Sequence, residues 1–209
     1  SSGNRGGRQI EWCQYFRKIA SLAALLMVIC ASLVCAPAFQ STHPLTGRHI
    51  ANVMGYGGAD CLERPERESE ENLEGALNAL GLKPGMAVAE VGAGTGYVSL
   101  RIAKRVGPTG KVYANDLQPQ MLSLLRSNAA TAGITNLETV LGSETDPKLP
   151  AGRMDLIILV DVYHEFSQPQ MMLQGIRRAL KPEGRLVQLE YRQESPGRRD
   201  GREGRGRPG

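Results

Sequence analysis

Val88-Ala-Glu90-Val-Gly92-Ala-Gly94-Thr-Gly96-Tyr97 is the stretch from which the rest of this sequence is read. Val88 to Val91 is apolar apart from Glu90, and a helical pattern begins at Tyr97. Three glycines in five residues therefore fall in the turn between a buried strand and a helix. Glycine there adopts backbone angles closed to other residues and lets a ligand lie against the main chain at the carboxyl edge of a parallel sheet.

Outward from that turn, residues 86–191 alternate β-type runs with helical patterns, an α/β signature. The expected strands are Ala87 to Val91, Lys111 to Asn115, Leu137 to Leu141, Met154 to Asp161 and Arg185 to Tyr191. Several are apolar at consecutive positions, as parallel strands covered on both faces require. The expected helices are Tyr97 to Val106, Pro119 to Ala132 and Pro169 to Leu180, the last two opening on a proline that a first helical turn tolerates. LGSETDPKLPAGR (141–153) makes the third crossover short or irregular. Upstream, ERESEENLEGALNALGL (66–82) predicts one helix of about fifteen residues, with Leu73, Leu77 and Leu80 on one face and its acidic first turn in solvent.

The turn excludes two common ligands. A dinucleotide fingerprint needs Gly-x-Gly-x-x-Gly, but Tyr97 stands where the third glycine belongs, and no Gly-Lys-Ser/Thr follows to make a phosphate loop. Glu90, two residues before Gly92, repels phosphate and favours an ammonium or sulfonium group. At the end of the second strand Asp116 stands 24 residues after Gly92, placed to accept both hydroxyls of a ribose. Together these residues describe a pocket for a cationic, phosphate-free nucleoside.

EVGAGTGY (90–97), VYANDLQPQML (112–122), DLIILVDVYHEF (155–166) and ALKPEGRLV (179–187) follow one another in the order and spacing of the class I S-adenosylmethionine-dependent methyltransferases, which residues 65–192 resemble. The resemblance implies a Rossmann-like, doubly wound, mostly parallel sheet. It implies S-adenosyl-L-methionine as cofactor, with Glu90, Gly92, Gly94 and Gly96 at its methionine end and Asp116, followed by Leu117, at its ribose. The acid near adenine is Glu144 or Asp146, Glu144 being nearer the third strand. Asp161 to Glu165 matches the loop that faces cofactor and substrate, where Asp161 orients the loop or the ammonium group. His164 is the candidate general base, against the reading of a histidine that fixes the loop by a hydrogen bond, and Tyr163 either stacks or packs. GYGGADCLERPERESEE (55–71) resembles a segment that folds over the cofactor, so that Arg64 and Arg67 either meet the methionine carboxylate or lie on a surface helix start. Tyr97 covers the turn. The family's sheet has seven strands, and this chain offers five; the terminal antiparallel hairpin is expected to be missing, which would leave an open sheet edge.

The ends of the 209-residue chain carry its charge. Residues 1–18 and 197–209 hold +3 each, so residues 19–196 carry −2 of the total +4. Such a distribution offers no groove for nucleic acid. IASLAALLMVICASLVCA (19–36) is uncharged, follows Arg17-Lys18 and precedes Ala36-Pro37-Ala38, the pattern of a signal peptide cleaved after Ala38 or of a membrane anchor. The domain would then lie outside the cytoplasm or at a membrane, whereas a start at Met54 would leave it cytoplasmic. The expected organisation is a basic flank with signal or anchor over 1–38, a connector over 39–65, the methyltransferase domain over 66–192 and a disordered Gly/Arg tail over 193–209. Cys13, Cys30, Cys35 and Cys61 show neither zinc-ligand nor disulfide-framework spacing, and no metal site is expected. The function expected is methyl transfer by in-line displacement to a small-molecule or lipid-like acceptor; the alternative is a noncatalytic, membrane-tethered cofactor-binding or scaffold protein. The oligomeric state is left open.

Overall fold

The computed structural model describes residues 42–43 and 47–190. The signal or anchor over 19–36, cleavage after Ala38, Tyr191, the Gly/Arg tail and any closing hairpin lie outside the described residues. Among the described residues, no helix is long and apolar enough to cross a membrane.

Five strands form one parallel sheet: β1 (Ala87–Val91), β2 (Lys111–Asp116), β3 (Leu137–Leu141), β4 (Met154–Val160) and β5 (Leu180–Leu189), in the spatial order β3-β2-β1-β4-β5. The order reverses between β1 and β4, and the crevice beyond their carboxyl ends is where such sheets bind ligands. β4 is an interior strand on which Leu156, Ile157, Ile158 and Leu159 are all fully buried, alternate residues serving opposite faces. Leu156 and Ile158 join Leu77, Val98 and Ile102 on one side, whereas Ile157 and Leu159 join Met172, Ile176 and Phe166 on the other. Burying one Leu or Ile completely contributes about 1.5–3 kcal/mol.

The helices follow from spacing and punctuation. We number them α1 (Arg67–Glu71), α2 (Leu73–Ala79), α3 (Tyr97–Val106), α4 (Pro119–Thr131) and α5 (Pro169–Ala179). Val98, Ile102 and Val106 recur every four residues along α3, which Gly107 ends at φ 66°. The β3–β4 crossover over 142–153 contains no helix, as its length predicts.

Two elements depart from expectation. The single helix over 66–82 is broken at Asn72, which takes the left-handed conformation (φ 47°, ψ 44°), donates its N–H to Glu68 O and separates α1 from α2. Asparagine tolerates this conformation better than other side-chain-bearing residues. The acidic first turn is not wholly solvated either, because the Glu71 side chain is 8% exposed and pairs with Arg67. The fifth strand begins at Leu180 rather than Arg185. Leu180 pairs with Met154 and Arg185 with Leu156, so Lys181–Gly184 bulge opposite Asp155, and Lys181 Nζ reaches Asp155 Oδ1 at 2.6 Å across the bulge. Smaller differences are one-residue shifts: β2 runs on to Asp116, β4 stops at Val160, and α4 and α5 stop at Thr131 and Ala179.

Candidate cofactor and acceptor site

Beyond the carboxyl ends of β1, β2 and β4 lies a cavity of about 820 Å³. Its floor is Gly92–Thr95 of the glycine turn, whereas Gly96 is off the wall and packs against Leu125. Gly92, Gly94 and Gly96 all have positive φ, at 81°, 52° and 92°. A Cβ on Gly92 would stand 2.5 Å from Val162 Cγ2, and one on Gly96 would stand 2.8 Å from Leu125 Cγ. The turn is fastened to β2: the N–H groups of Gly92 and Ala93 donate to Asn115 O at 2.9 and 2.8 Å, and Gly94 N–H donates to Asp116 Oδ2 at 2.9 Å.

Two acids flank this floor. Glu90, 2% exposed near the end of β1, lines the cavity and accepts a hydrogen bond from Ser99 Oγ on α3. Burial pushes its carboxyl up to about 8, although the Ser99 hydrogen bond and the charge of Arg67 act the other way. Burial thus favours the protonated form of this carboxyl. Asp116 ends β2, and its Oδ1 accepts from Gln118 N–H at 2.8 Å. Burial raises its carboxyl while the amides of Gln118, Gly94 and Leu117 hold it down. Each of its oxygens keeps a further lone pair for a ligand hydroxyl.

Leu117 lines the cavity and is 42% exposed. Glu144 also lines it and accepts from Ser167 Oγ at 2.9 Å, whereas Asp146 is engaged by Arg178 at 2.9 Å and by the Lys148 amide and is absent from the wall. Glu144 is thus the acid available after β3. Asp161 lines the wall with φ 51°, and burial raises its carboxyl.

The loop after β4 corrects one expectation. Tyr163–Glu165 is a 3-10 turn, in which residues three apart share a face. Val162 and Glu165 line the cavity; Tyr163 and His164 do not. His164 Nδ1 lies 2.9 Å from Glu190 Oε2, so the ring fixes the loop to the end of β5 and is not placed as a base in the cavity. Tyr163 packs edge-on against Phe166 at 5.6 Å. Glu165, half-buried on the wall, accepts Met54 N–H at 3.2 Å, and burial raises its carboxyl.

Arg64 and Arg67 both line the cavity. Arg67 is 8% exposed, pairs with Glu71 Oε2 at 2.7 Å and donates to Leu62 O at 2.9 Å. Tyr97 takes Arg67 and Arg101 against its ring, their guanidinium carbons 4.4 and 3.8 Å from the ring centroid.

The sequence reading did not identify the wall formed by residues 50–54, placed in a connector. Ala51 N–H donates to His164 O at 3.0 Å, Tyr56 N–H donates to Gln118 Oε1 at 3.0 Å, and Gln118 Nε2 donates to Met54 O at 2.9 Å. These bonds strap residues 50–56 across the loop after β4 and the start of α4. The strap continues into the 3-10 helix Tyr56–Glu63, whose Leu62 Cδ1 lies 2.7 Å from where a Gly94 Cβ would stand. Ser143 was missed as well; only its place after β3 signalled it.

These features fit a methionine-bearing nucleoside cation. The cradle excludes side chains, an acid stands at each flank, and Thr95 Oγ1 is buried in the turn with no hydrogen-bond partner among the described residues. The fold and the site define the Rossmann-like S-adenosylmethionine-dependent methyltransferases, and the chain belongs to that family: a family model described as a methyltransferase domain matches residues 82–200, more than half of it. S-adenosylmethionine is the cofactor that membership implies. Among solved structures, a SAM-dependent methyltransferase from Aquifex aeolicus is 31% identical with a TM-score of 0.65, covering 74% of this chain and 79% of that one. The YcgJ protein from Bacillus subtilis, 22% identical over 56% of this chain and 49% of its own with a TM-score of 0.51, shows the same fold. The ubiquinone/menaquinone biosynthesis C-methyltransferase UbiE of Cupriavidus taiwanensis is 30% identical over 111 residues, 53% of this chain and 45% of its own length. That of Laribacter hongkongensis is 30% identical over 115 residues, 55% of this chain and 47% of its own. The chain thus spans about half the length of these curated relatives.

Proposed function

We propose that the chain transfers a methyl group to a small, lipid-like acceptor of the quinol type, with carbon as the receiving atom. The observation that carries this reading is the convergence of Glu90, Asp116 and the glycine turn, from separate elements, on one cavity. When bound, S-adenosylmethionine supplies a methyl group already activated on a sulfonium, so the protein's work is alignment and exclusion of water. Glu90 holds the cationic methionine end, Asp116 the ribose hydroxyls, and Leu117 covers the base beside Glu144. Residues 50–54 of the strap form one wall of the cavity.

The acceptor class rests on two supports. Quinone biosynthesis is printed in the names of the C-methyltransferase relatives. The cavity wall also includes apolar side chains left exposed, Val53 at 40% and Met54 at 43%, which suit an acceptor with a hydrocarbon tail. Methylation of a phenolic ring at carbon requires a proton to leave, and the candidate to take it is Glu165, a half-buried wall carboxylate whose burial raises its pKa. The same reading holds the chain at a membrane through residues 19–36, which cell fractionation tests.

Two assays test this function separately. Calorimetry with S-adenosylhomocysteine should give one saturable site; no heat and no thermal shift from the folded protein would refute cofactor binding. Incubation with methyl-labelled S-adenosylmethionine and a reduced, prenylated naphthoquinone should label a ring carbon. Binding without turnover on any quinol would refute the acceptor class.

A further inference from the structure

The carboxyl ends of β4 and β5 bring together three side chains that the methyl-transfer chemistry leaves unused. Asp161 follows β4, His164 sits in the 3-10 turn after it, and Glu190 follows β5. One ligand atom from each lies within 4.8 Å of the others. His164 Nδ1 is 2.9 Å from Glu190 Oε2 and 3.7 Å from Asp161 Oδ1. Donors around one ion at ~2.1 Å stand ~3 Å apart in cis positions and ~4.2 Å in trans, so the three already lie close to a shared coordination sphere.

From this juxtaposition we propose that Asp161, His164 and Glu190 bind a divalent first-row transition metal at the exposed edge of the cavity. Charge and position both favour it. Among the described residues, His164 is the sole basic side chain within 4 Å of either acid, so two carboxylates share one imidazole. A divalent ion meets that demand, and the imidazole directs it toward iron, cobalt, nickel, copper or zinc rather than magnesium, calcium or manganese. The positions are held from behind: Tyr163 N–H donates to Glu190 Oε1 at 2.8 Å, and Asp161 N–H donates to Leu189 O at 2.8 Å. Nδ1 now donates its N–H toward the carboxylates, so ligation takes that proton off Nδ1: it passes to solvent, and the ion holds Nδ1 of a ring whose remaining proton is on Nε2.

Three protein ligands leave coordination positions open, and Asp161, alone of the three, lines the cavity, so the site borders it. The open positions would take oxygen donors of an occupant. Only this last step rests on the methyl-transfer reading, in which the ion would hold and acidify a quinol hydroxyl.

The test uses the full chain in detergent, without an affinity tag, treated with EDTA and desalted. Titration with Co²⁺, followed by its visible absorption, should reach an endpoint of one ion per chain. E190Q and H164A should each weaken Co²⁺ by at least ~10-fold, while E138Q, on an exposed pair with Lys111, leaves it unchanged. Thermal melts confirm that each variant is folded, and E190Q keeps the acceptor for Tyr163 N–H. Absence of saturable Co²⁺ binding by the folded wild type, or wild-type affinity in both E190Q and H164A, would overturn the site. S-adenosylhomocysteine titration of the same samples reads the cofactor site independently, so failure of one does not count as failure of the other.

Discussion

Glu90 makes cofactor binding and stability respond to pH in opposite directions. Its carboxyl sits at about 8 when folded against 4.5 for the free side chain, because the buried charge has lost its water. Between those values the folded chain holds a proton that the unfolded chain has released. Stability without ligand therefore falls as pH rises through this window, by up to about 1.4 kcal/mol per pH unit. A cationic methionine end placed beside Glu90 requires the carboxylate, so binding must expel that proton. Below pH 8 affinity should then rise about tenfold per pH unit, or about 20-fold from pH 6 to pH 7.5. Calorimetry with S-adenosylhomocysteine in buffers of different ionisation enthalpy measures both the slope and the proton, and close to one proton should be released per ligand at pH 6. Glu90→Gln should abolish both. A flat profile in the wild type, or an equal slope in Glu90→Gln, would refute the placement of the cation at Glu90.

Three further outcomes follow from the geometry. Asp116→Ala removes a ribose partner and the acceptor of Gly94 N–H together, and should weaken S-adenosylhomocysteine by about 1–3 kcal/mol; unchanged affinity by calorimetry would remove Asp116 from the site. Gly96→Ala places a methyl group 2.8 Å from Leu125 Cγ at φ 92° and should cost about 2–4 kcal/mol in urea unfolding, so an unmoved midpoint would contradict the packing of α4 on the turn. Ile158→Ala, fully buried in β4, should cost about 2–5 kcal/mol in the same experiment.

The sequence was most legible where local signals and packing agree. β1 and α3 start and stop as predicted because an apolar run, a glycine turn and a four-residue apolar spacing all mark them. It was least legible where one residue overrides a pattern. Asn72 breaks a helix whose leucine face is otherwise correct, since Leu73, Leu77 and Leu80 are all buried. Pro182 and Gly184 read as the end of a loop, yet they sit in a bulge inside β5. In the site, the acids and glycines could be read because their chemistry is tied to fixed distances from the strand ends. The facing of His164 could not, because a turn of three residues sends neighbours in different directions. Nor could the strap over 50–56, whose bonds join main chain to groups more than 60 residues away and leave no periodic trace.

The most direct measurement is a crystal structure of the chain with S-adenosylhomocysteine. The ribose hydroxyls should lie within hydrogen-bonding distance of the Asp116 carboxylate, with the amino group of the methionine end beside Glu90 and the chain of the ligand over Gly92 and Gly94. A ligand bound elsewhere on the molecule, with this cavity open and Asp116 still closed on Gly94, would contradict the account.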